Sequence, residues 1–146
     1  MKKIALIALL MLGTVSAHAV PNVWNGYYRQ GSTFYNISGE DKEELHVGCS
    51  ISSDGKPSGH YVFVKYKGNK IENNIHKKPL SFYIDNKIGV TPVPHSSTYD
   101  NEVDWTKLTN ALPIAKKIEV YNNNKLLFIL KPRNSDETQD LPECTL

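Results

Sequence analysis

The two cysteines, Cys49 and Cys144, are the residues whose chemistry the sequence constrains most closely. With 94 residues between them, they lack the Cys-x-x-Cys spacing that lowers a thiol pKa in redox proteins. The first 19 residues, described below, indicate export, and in an oxidising compartment an even number of cysteines indicates disulfide bonding. We therefore predict one structural disulfide between Cys49 and Cys144, in preference to a redox pair or a cysteine nucleophile.

The four histidines that follow the first 19 residues have no partners at spacings typical of metal binding: His46, His60, His76 and His95. No His-x-x-x-His, His-x-His or Cys/His cluster occurs, and neither does a Gly-x-Ser-x-Gly elbow. We interpret His46 as an outward-facing, solvated side chain. The sequence thus predicts no catalytic residue, metal or cofactor, although a Ser-His-Asp arrangement assembled from distant positions stays open.

Side chains typical of binding surfaces are densest near residues 24–35, where five aromatic residues lie within twelve positions. Tyrosine and tryptophan combine a large apolar area with a polar tip, which is why binding surfaces favour them. The competing interpretation, which we favour, is that these rings pack on a sheet and cover its core. If the segment does bind, the best candidates are Trp24, Tyr27, Tyr28 and Arg29.

A second candidate surface is the loop predicted over residues 92–103. Two prolines and a polar run make this stretch irregular, and long loops in small domains often contact a partner. Its candidate residues are His95, Tyr99 and Asp100.

Alternating apolar and polar residues predict that most of the regular structure is β-strand. In 44–52, four apolar residues share one face, as in a half-buried strand: Leu45, Val47, Cys49 and Ile51. Residues 60–66 are apolar on both faces and predict a central strand. Residues 80–85 alternate again, with a return strand over 87–91. The segments 117–121 and 125–130 flank three asparagines, which fits a tight hairpin turn.

One short helix is predicted near 104–112. Asp104 is suited to cap its start, Trp105 and Leu108 recur at helical spacing, and Pro113 ends it. The fold class is therefore mainly β: a small antiparallel β-sandwich or barrel-like sheet with one short helix, stapled by one disulfide.

The first 19 residues have the features of a signal peptide. Lys2 and Lys3 precede an apolar run, and Ala17-His18-Ala19 supplies the small residues that a signal peptidase reads. The remaining residues, 20–146, form a single domain with 15 basic and 15 acidic residues. This balance excludes the basic surface that a nucleic-acid binder needs. We predict a protein of the periplasm of a Gram-negative bacterium, or a secreted one, with no stable membrane insertion after cleavage.

From about residue 80 to 144 the order of elements resembles the closing half of the invasion-associated locus B family, small exported bacterial β-sandwiches. The likeness covers about half of the mature chain and is one of pattern, while the cysteine number and the aromatic start differ from that family. The resemblance implies a non-catalytic sandwich and transfers no site residues. It is carried by Phe82, Ile84, Asp85, Leu108, Leu112, Ile118, Val120, Phe128 and Leu130.

These observations predict a non-catalytic binding protein that contacts another macromolecule, a protein or an envelope component, in an inhibitor, immunity or exclusion role. The first alternative is a small envelope hydrolase with a dispersed active site. The second is a structural accessory of an envelope or secretion assembly.

Overall fold

The computed structural model describes residues 20–51, 53–54, 57–73, 78–92 and 99–133, with the side chains of 51, 57, 58 and 99–102 left out. The predicted signal peptide, Cys144 and His95 lie outside the described residues. Tyr99 and Asp100 are described by their backbone alone, so their role as contact residues stays a prediction.

The first sheet is a five-stranded antiparallel meander in which every strand pairs with the next along the chain. Two of its connections are two-residue turns, Gln30-Gly31 and Lys67-Gly68, in which both residues have positive φ. Such turns match the twist of the strands that they join. The strands are β1 Trp24–Arg29, β2 Ser32–Ser38, β3 Glu44–Ile51, β4 Pro57–Tyr66 and β5 Asn69–Glu72.

The second sheet has four antiparallel strands in the order β7-β6-β8-β9. Its closing hairpin turns at Asn123 and Asn124, with φ values of 49° and 63°, so the predicted asparagine turn is confirmed. The strands are β6 Leu80–Ile84, β7 Ile88–Val90, β8 Ile118–Asn122 and β9 Lys125–Leu130.

The inward faces of the two sheets contribute to a single hydrophobic core. On β3 the predicted alternation holds, because Leu45, Val47 and Cys49 are buried while Glu44 and His46 on the opposite face are partly exposed. The prediction of a mainly β fold is confirmed, and two antiparallel sheets around one core are consistent with a small β-sandwich. The fully buried side chains include Ile37, Leu45, Leu80, Phe82, Ile84, Ile118 and Leu130.

The helix α1 spans Tyr99–Ala111 and continues into a 3₁₀ turn, Leu112–Ile114. The prediction of a start near residue 104 was therefore wrong by five residues, and 99–103 is not loop. Asp104 does not cap the helix; its carboxylate instead accepts a hydrogen bond from the Thr91 amide at 3.1 Å. Residues 99–102 carry almost no hydrophobic periodicity, so the apolar spacing reported only the part of the helix that reaches the core.

Trp105 packs α1 against the first sheet. Its side chain is 0% exposed, and its ring stacks on that of His60 in β4, with centroids 4.2 Å apart. The helix also packs against β7 of the second sheet. Within the described residues no helix is long and apolar enough to cross a membrane.

Candidate binding face

The side of the first sheet that faces away from the core carries a cluster of rings, here called the aromatic face: Tyr27, Phe34, His46, Tyr61 and Phe63. The strand register creates it, because Tyr27 lies opposite Phe34, Phe34 opposite Gly48, and Gly48 opposite Tyr61. One row of side chains thus crosses four adjacent strands. His46 and Phe63 lie opposite each other two residues further along β3 and β4.

Gly48 makes the centre of this face possible. A Cβ atom built on Gly48 would lie less than 3.0 Å from the distal end of the Tyr61 ring, a separation that real Cβ atoms do not tolerate. The Tyr61 ring therefore lies over the backbone of β3, in space that only glycine leaves free. From there it contacts Phe34, with centroids 5.8 Å apart, and Phe63, at 6.0 Å.

Two stacked pairs flank Tyr61. The rings of Tyr27 and Phe34 are parallel within 10°, with centroids 5.0 Å apart. The imidazole of His46 stacks on Phe63 at 4.4 Å and 8°, and the Lys70 ammonium lies 4.3 Å from the centroid of the Phe63 ring. Ring stacking and cation–π contact each add about 0.5–1.5 kcal/mol beyond simple burial. Each of these rings is therefore in stabilising contact with a neighbour on the adjacent strand.

The charged groups beside the rings are paired with one another. The Glu44 carboxylate lies 2.5 Å from His46 Nε2 and 2.8 Å from Lys65 Nζ, and Lys70 pairs with Glu72. Burial raises the pKa of Glu44, but the hydrogen bonds from Lys65 and His46 outweigh it and hold that pKa below its ordinary value. Burial also lowers the pKa of His46, and Glu44 offsets only part of this effect.

His46 is therefore half-buried between Glu44 and Phe63, and the prediction of a solvated histidine was wrong. Its position on the outward side of the strand was predicted correctly. The physical reason for the error is that Phe63 on the neighbouring strand covers the imidazole, and strand pairing of that kind is not visible in the pattern of one segment.

Acidification should destabilise the fold through His46. Its folded pKa is lowered, whereas the unfolded imidazole titrates near pH ~6.5, so the unfolded state binds the proton first. The free energy of unfolding should then fall as the pH drops through ~6.5 and level off below the folded pKa. The lowered pKa of Glu44 also makes the fold less stable in acid, at lower pH. The stability that the Glu44 carboxylate contributes is lost as the pH falls through its pKa in the folded state.

Urea unfolding at several pH values checks this prediction with His46→Phe as the matched variant, because phenylalanine keeps the stacking on Phe63 and cannot titrate. The wild type should lose more stability than the variant between neutral pH and about pH 5.5. Equal losses in the two proteins would contradict it.

A groove of about 520 Å³ opens on the aromatic face. Tyr27, Phe34, Tyr61 and Phe63 supply apolar lining, and Lys70 and Glu72 lie among its polar lining residues. Burial, and to a smaller extent the neighbouring Tyr27, raises the pKa of Tyr61 to about 12. Its hydroxyl makes no hydrogen bond to any residue in the described part of the chain. Pockets of ~300–1,000 Å³ are typical of small-ligand sites.

The four predicted N-terminal contact residues do not lie on one common surface. Trp24 is 3% exposed and belongs to the core, so its assignment to a contact surface was wrong. The register explains this, because Trp24 lies opposite the buried Ile37 on the inward face. Tyr27, 53% exposed, is on the outward face and lines the groove.

Tyr28 and Arg29 are exposed but lie outside the groove. Tyr28, although 69% exposed, points to the same side of the sheet as Thr33 and hence to the core side, near the end of β1. Arg29 lies opposite Ser32 at the last position of that strand. Of the four residues, only Tyr27 is placed in the candidate site.

Sequence reasoning missed most of the site. Phe34, His46, Tyr61, Phe63 and Lys70 were not candidates, although residues 60–66 were recognised as apolar on both faces. That observation contained a usable signal, because a contiguous apolar patch on the outward side of a sheet often marks an interaction site.

Among the described residues of this face, His46 and Glu44 form the one pair of a histidine with a carboxylate. The other described histidine in a strand, His60, lies on the inward face of β4 against Trp105. Over the described residues no group of three metal-ligating side chains occurs, and His46 hydrogen-bonds to no serine, threonine or cysteine hydroxyl or thiol among them.

The fold and this face define a small, mainly β domain that leaves an aromatic sheet surface uncovered by the described residues. A family model described as YfjT matches residues 22–138, so the chain belongs to the YfjT family. No curated protein matches the chain. No solved structure matches it either.

Proposed function

We propose that the protein is an exported binding domain that contacts another macromolecule through the aromatic face, without covalent chemistry. The observation that carries this proposal is the arrangement of Tyr61 over Gly48 between two stacked ring pairs, beside an open groove. An inhibitor, immunity or exclusion role in the periplasm, or outside the cell, fits a small domain of this kind.

The energetics of the face support binding. A side chain that serves only the fold gains by burial, yet Tyr27 stays 53% exposed, and Tyr61 has a hydroxyl without a partner among the described residues. Contact energy concentrates in a few tyrosine, tryptophan and arginine side chains at the centre of an interface. Tyr61 is central on this face and is held in place by its neighbours, so a ligand would not have to order it.

The hydrolase alternative has one observation in its favour, the His46–Glu44 pair. A carboxylate that orients a histidine supplies two of the three members of a triad. However, the Nε2 atom that would act as the base is occupied by Glu44, and the ring face is covered by Phe63. A binding role therefore explains more of the features of the aromatic face than a catalytic role does.

The proposal includes export and one disulfide. Lys2, Lys3 and the Ala17-His18-Ala19 segment support cleavage of a signal peptide. Cys49 is 6% exposed on the inward face of β3, where a bond to Cys144 would tie the C-terminal tail to the core.

Co-sedimentation with the cell envelope tests the proposal. The mature protein is mixed with washed envelope from the bacterium that encodes it, and the pelleted fraction is measured for wild type, Tyr61→Ala and Tyr83→Ala. Tyr83 is a matched control, because it is an exposed tyrosine on the second sheet, paired with Glu119 and Gly89 and remote from the groove lining.

Wild type and Tyr83→Ala should pellet to the same extent, and Tyr61→Ala should pellet several-fold less, because interface tyrosines of this kind contribute roughly 1–2 kcal/mol or more. Circular dichroism and melting confirm that all three proteins are folded. Equal pelleting of the three proteins, or none at all, would contradict the proposal.

A further inference from the structure

We propose that the groove on the aromatic face binds a glycan, an uncharged chain of pyranose sugars. This inference rests on the proposed function and names the ligand class for the same face. Three observations favour it: the placement of the Tyr61 ring, the polar groups on and beside it, and the mutual pairing of the charges.

The Tyr61 ring lies along the sheet, since its distal end occupies the space over Gly48. A ring placed in this way can offer its outer face to a flat ligand. The face of an aromatic ring is electron-rich, and the C–H hydrogens on one side of a pyranose carry a small partial positive charge. A sugar ring can therefore stack on Tyr61, with the exposed Tyr27 at the edge of the same row.

The polar groups beside the rings suit hydroxyl ligands. The Tyr61 hydroxyl lacks a hydrogen-bond partner among the described residues, and a tyrosine hydroxyl both donates and accepts. Sugar hydroxyls have the same dual capacity. Lys70 and Glu72 line the groove as well, so it holds a donor and an acceptor next to the ring surface.

The charge distribution argues against a strongly charged ligand. Glu44 is paired with His46 and Lys65, and Lys70 is paired with Glu72, so the described residues of the face present no free cluster of one sign. An anionic polymer or a charged protein surface would have to break these pairs to be recognised by charge.

The size of the groove favours a glycan over a protein partner. Its volume of about 520 Å³ lies within the ~300–1,000 Å³ range of small-ligand pockets. A stable protein interface instead buries about 800 Å² on each partner, usually over a broad surface. A few sugar units fit a concave groove of this volume.

Soluble hexasaccharides test the inference: β-1,4-linked N-acetylglucosamine, β-1,4-linked glucose and α-1,4-linked glucose. Each is titrated into isotope-labelled mature protein, and amide chemical shifts are followed by NMR. At least one should bind saturably, with the largest shifts at Gly48, Tyr61 and their neighbours. Tyr61→Ala should weaken that binding at least tenfold and Tyr61→Phe less, whereas Tyr83→Ala should leave it unchanged.

Gly48→Ala provides a second variant that keeps every ring but displaces Tyr61, so it should also weaken binding while the protein stays folded. If no hexasaccharide binds, or if binding does not depend on Tyr61, the glycan inference is overturned. Should envelope co-sedimentation still require Tyr61 in that case, the proposed function stands with a protein as the partner. If co-sedimentation is independent of Tyr61 as well, both proposals fail.

Discussion

Trp105→Ala should remove about 3–5 kcal/mol from the free energy of unfolding, the usual cost of truncating a fully buried tryptophan. Trp105 is 0% exposed and stacks on His60, so its loss opens a cavity and removes the contact through which α1 meets the first sheet. Domains of this size are stable by only about 5–15 kcal/mol. The substitution should therefore cost a large share of the total, measured by urea unfolding.

Lys107→Ala is the matched control, because it changes an exposed side chain on the same helix and should alter stability by less than about 0.5 kcal/mol. A loss below about 1 kcal/mol for Trp105→Ala, against the ~3–5 kcal/mol expected for a core site, would mean that the helix is not docked as described.

Cys49→Ser should lower stability by a similar amount. On the chain-entropy treatment, a disulfide closing a loop of nearly a hundred residues contributes about 4–5 kcal/mol. Cys49 is buried on the inward face of β3, so the bond would tie the C-terminal tail to the core. Thiol labelling of the unreduced, unfolded protein from the periplasm should find no free thiol.

Reduced wild type separates the bond from the packing of the sulfur atom. Its melting temperature should fall nearly to that of Cys49→Ser, and Cys144→Ser should match both. Two free thiols per chain in the unreduced protein would contradict the disulfide prediction.

Six strands, β3, β4 and β6 to β9, and the closing hairpin could be predicted from the sequence, mainly because period-2 alternation reports which side chains face a core. Leu45 and Val47 are predicted to share one apolar face of their strand, and both are fully buried. The asparagines at 123 and 124 predict the turn because they tolerate positive φ. These features depend on residues that are close together in the chain, so a single sequence is enough to predict them.

The candidate site could not be predicted because it depends on register between strands. Whether Trp24 or Tyr27 faces outward follows from which residue of β2 lies opposite, and a shift of one residue would exchange them. The space over Gly48 is filled by Tyr61 from another strand. The likeness to the invasion-associated locus B family rests on the order of elements alone, and it stays a resemblance beside the YfjT match.

Site-specific photo-crosslinking in living cells tests directly whether the aromatic face is the contact surface. A benzoylphenylalanine is placed at Tyr27 on the groove, and in a separate strain at Tyr83 on the second sheet; both sites are exposed, 53% and 39%. Irradiation should shift the protein into a defined higher-mass product, or onto envelope material, from position 27 and not from position 83. Equal products from both positions, or product from position 83 alone, would contradict it.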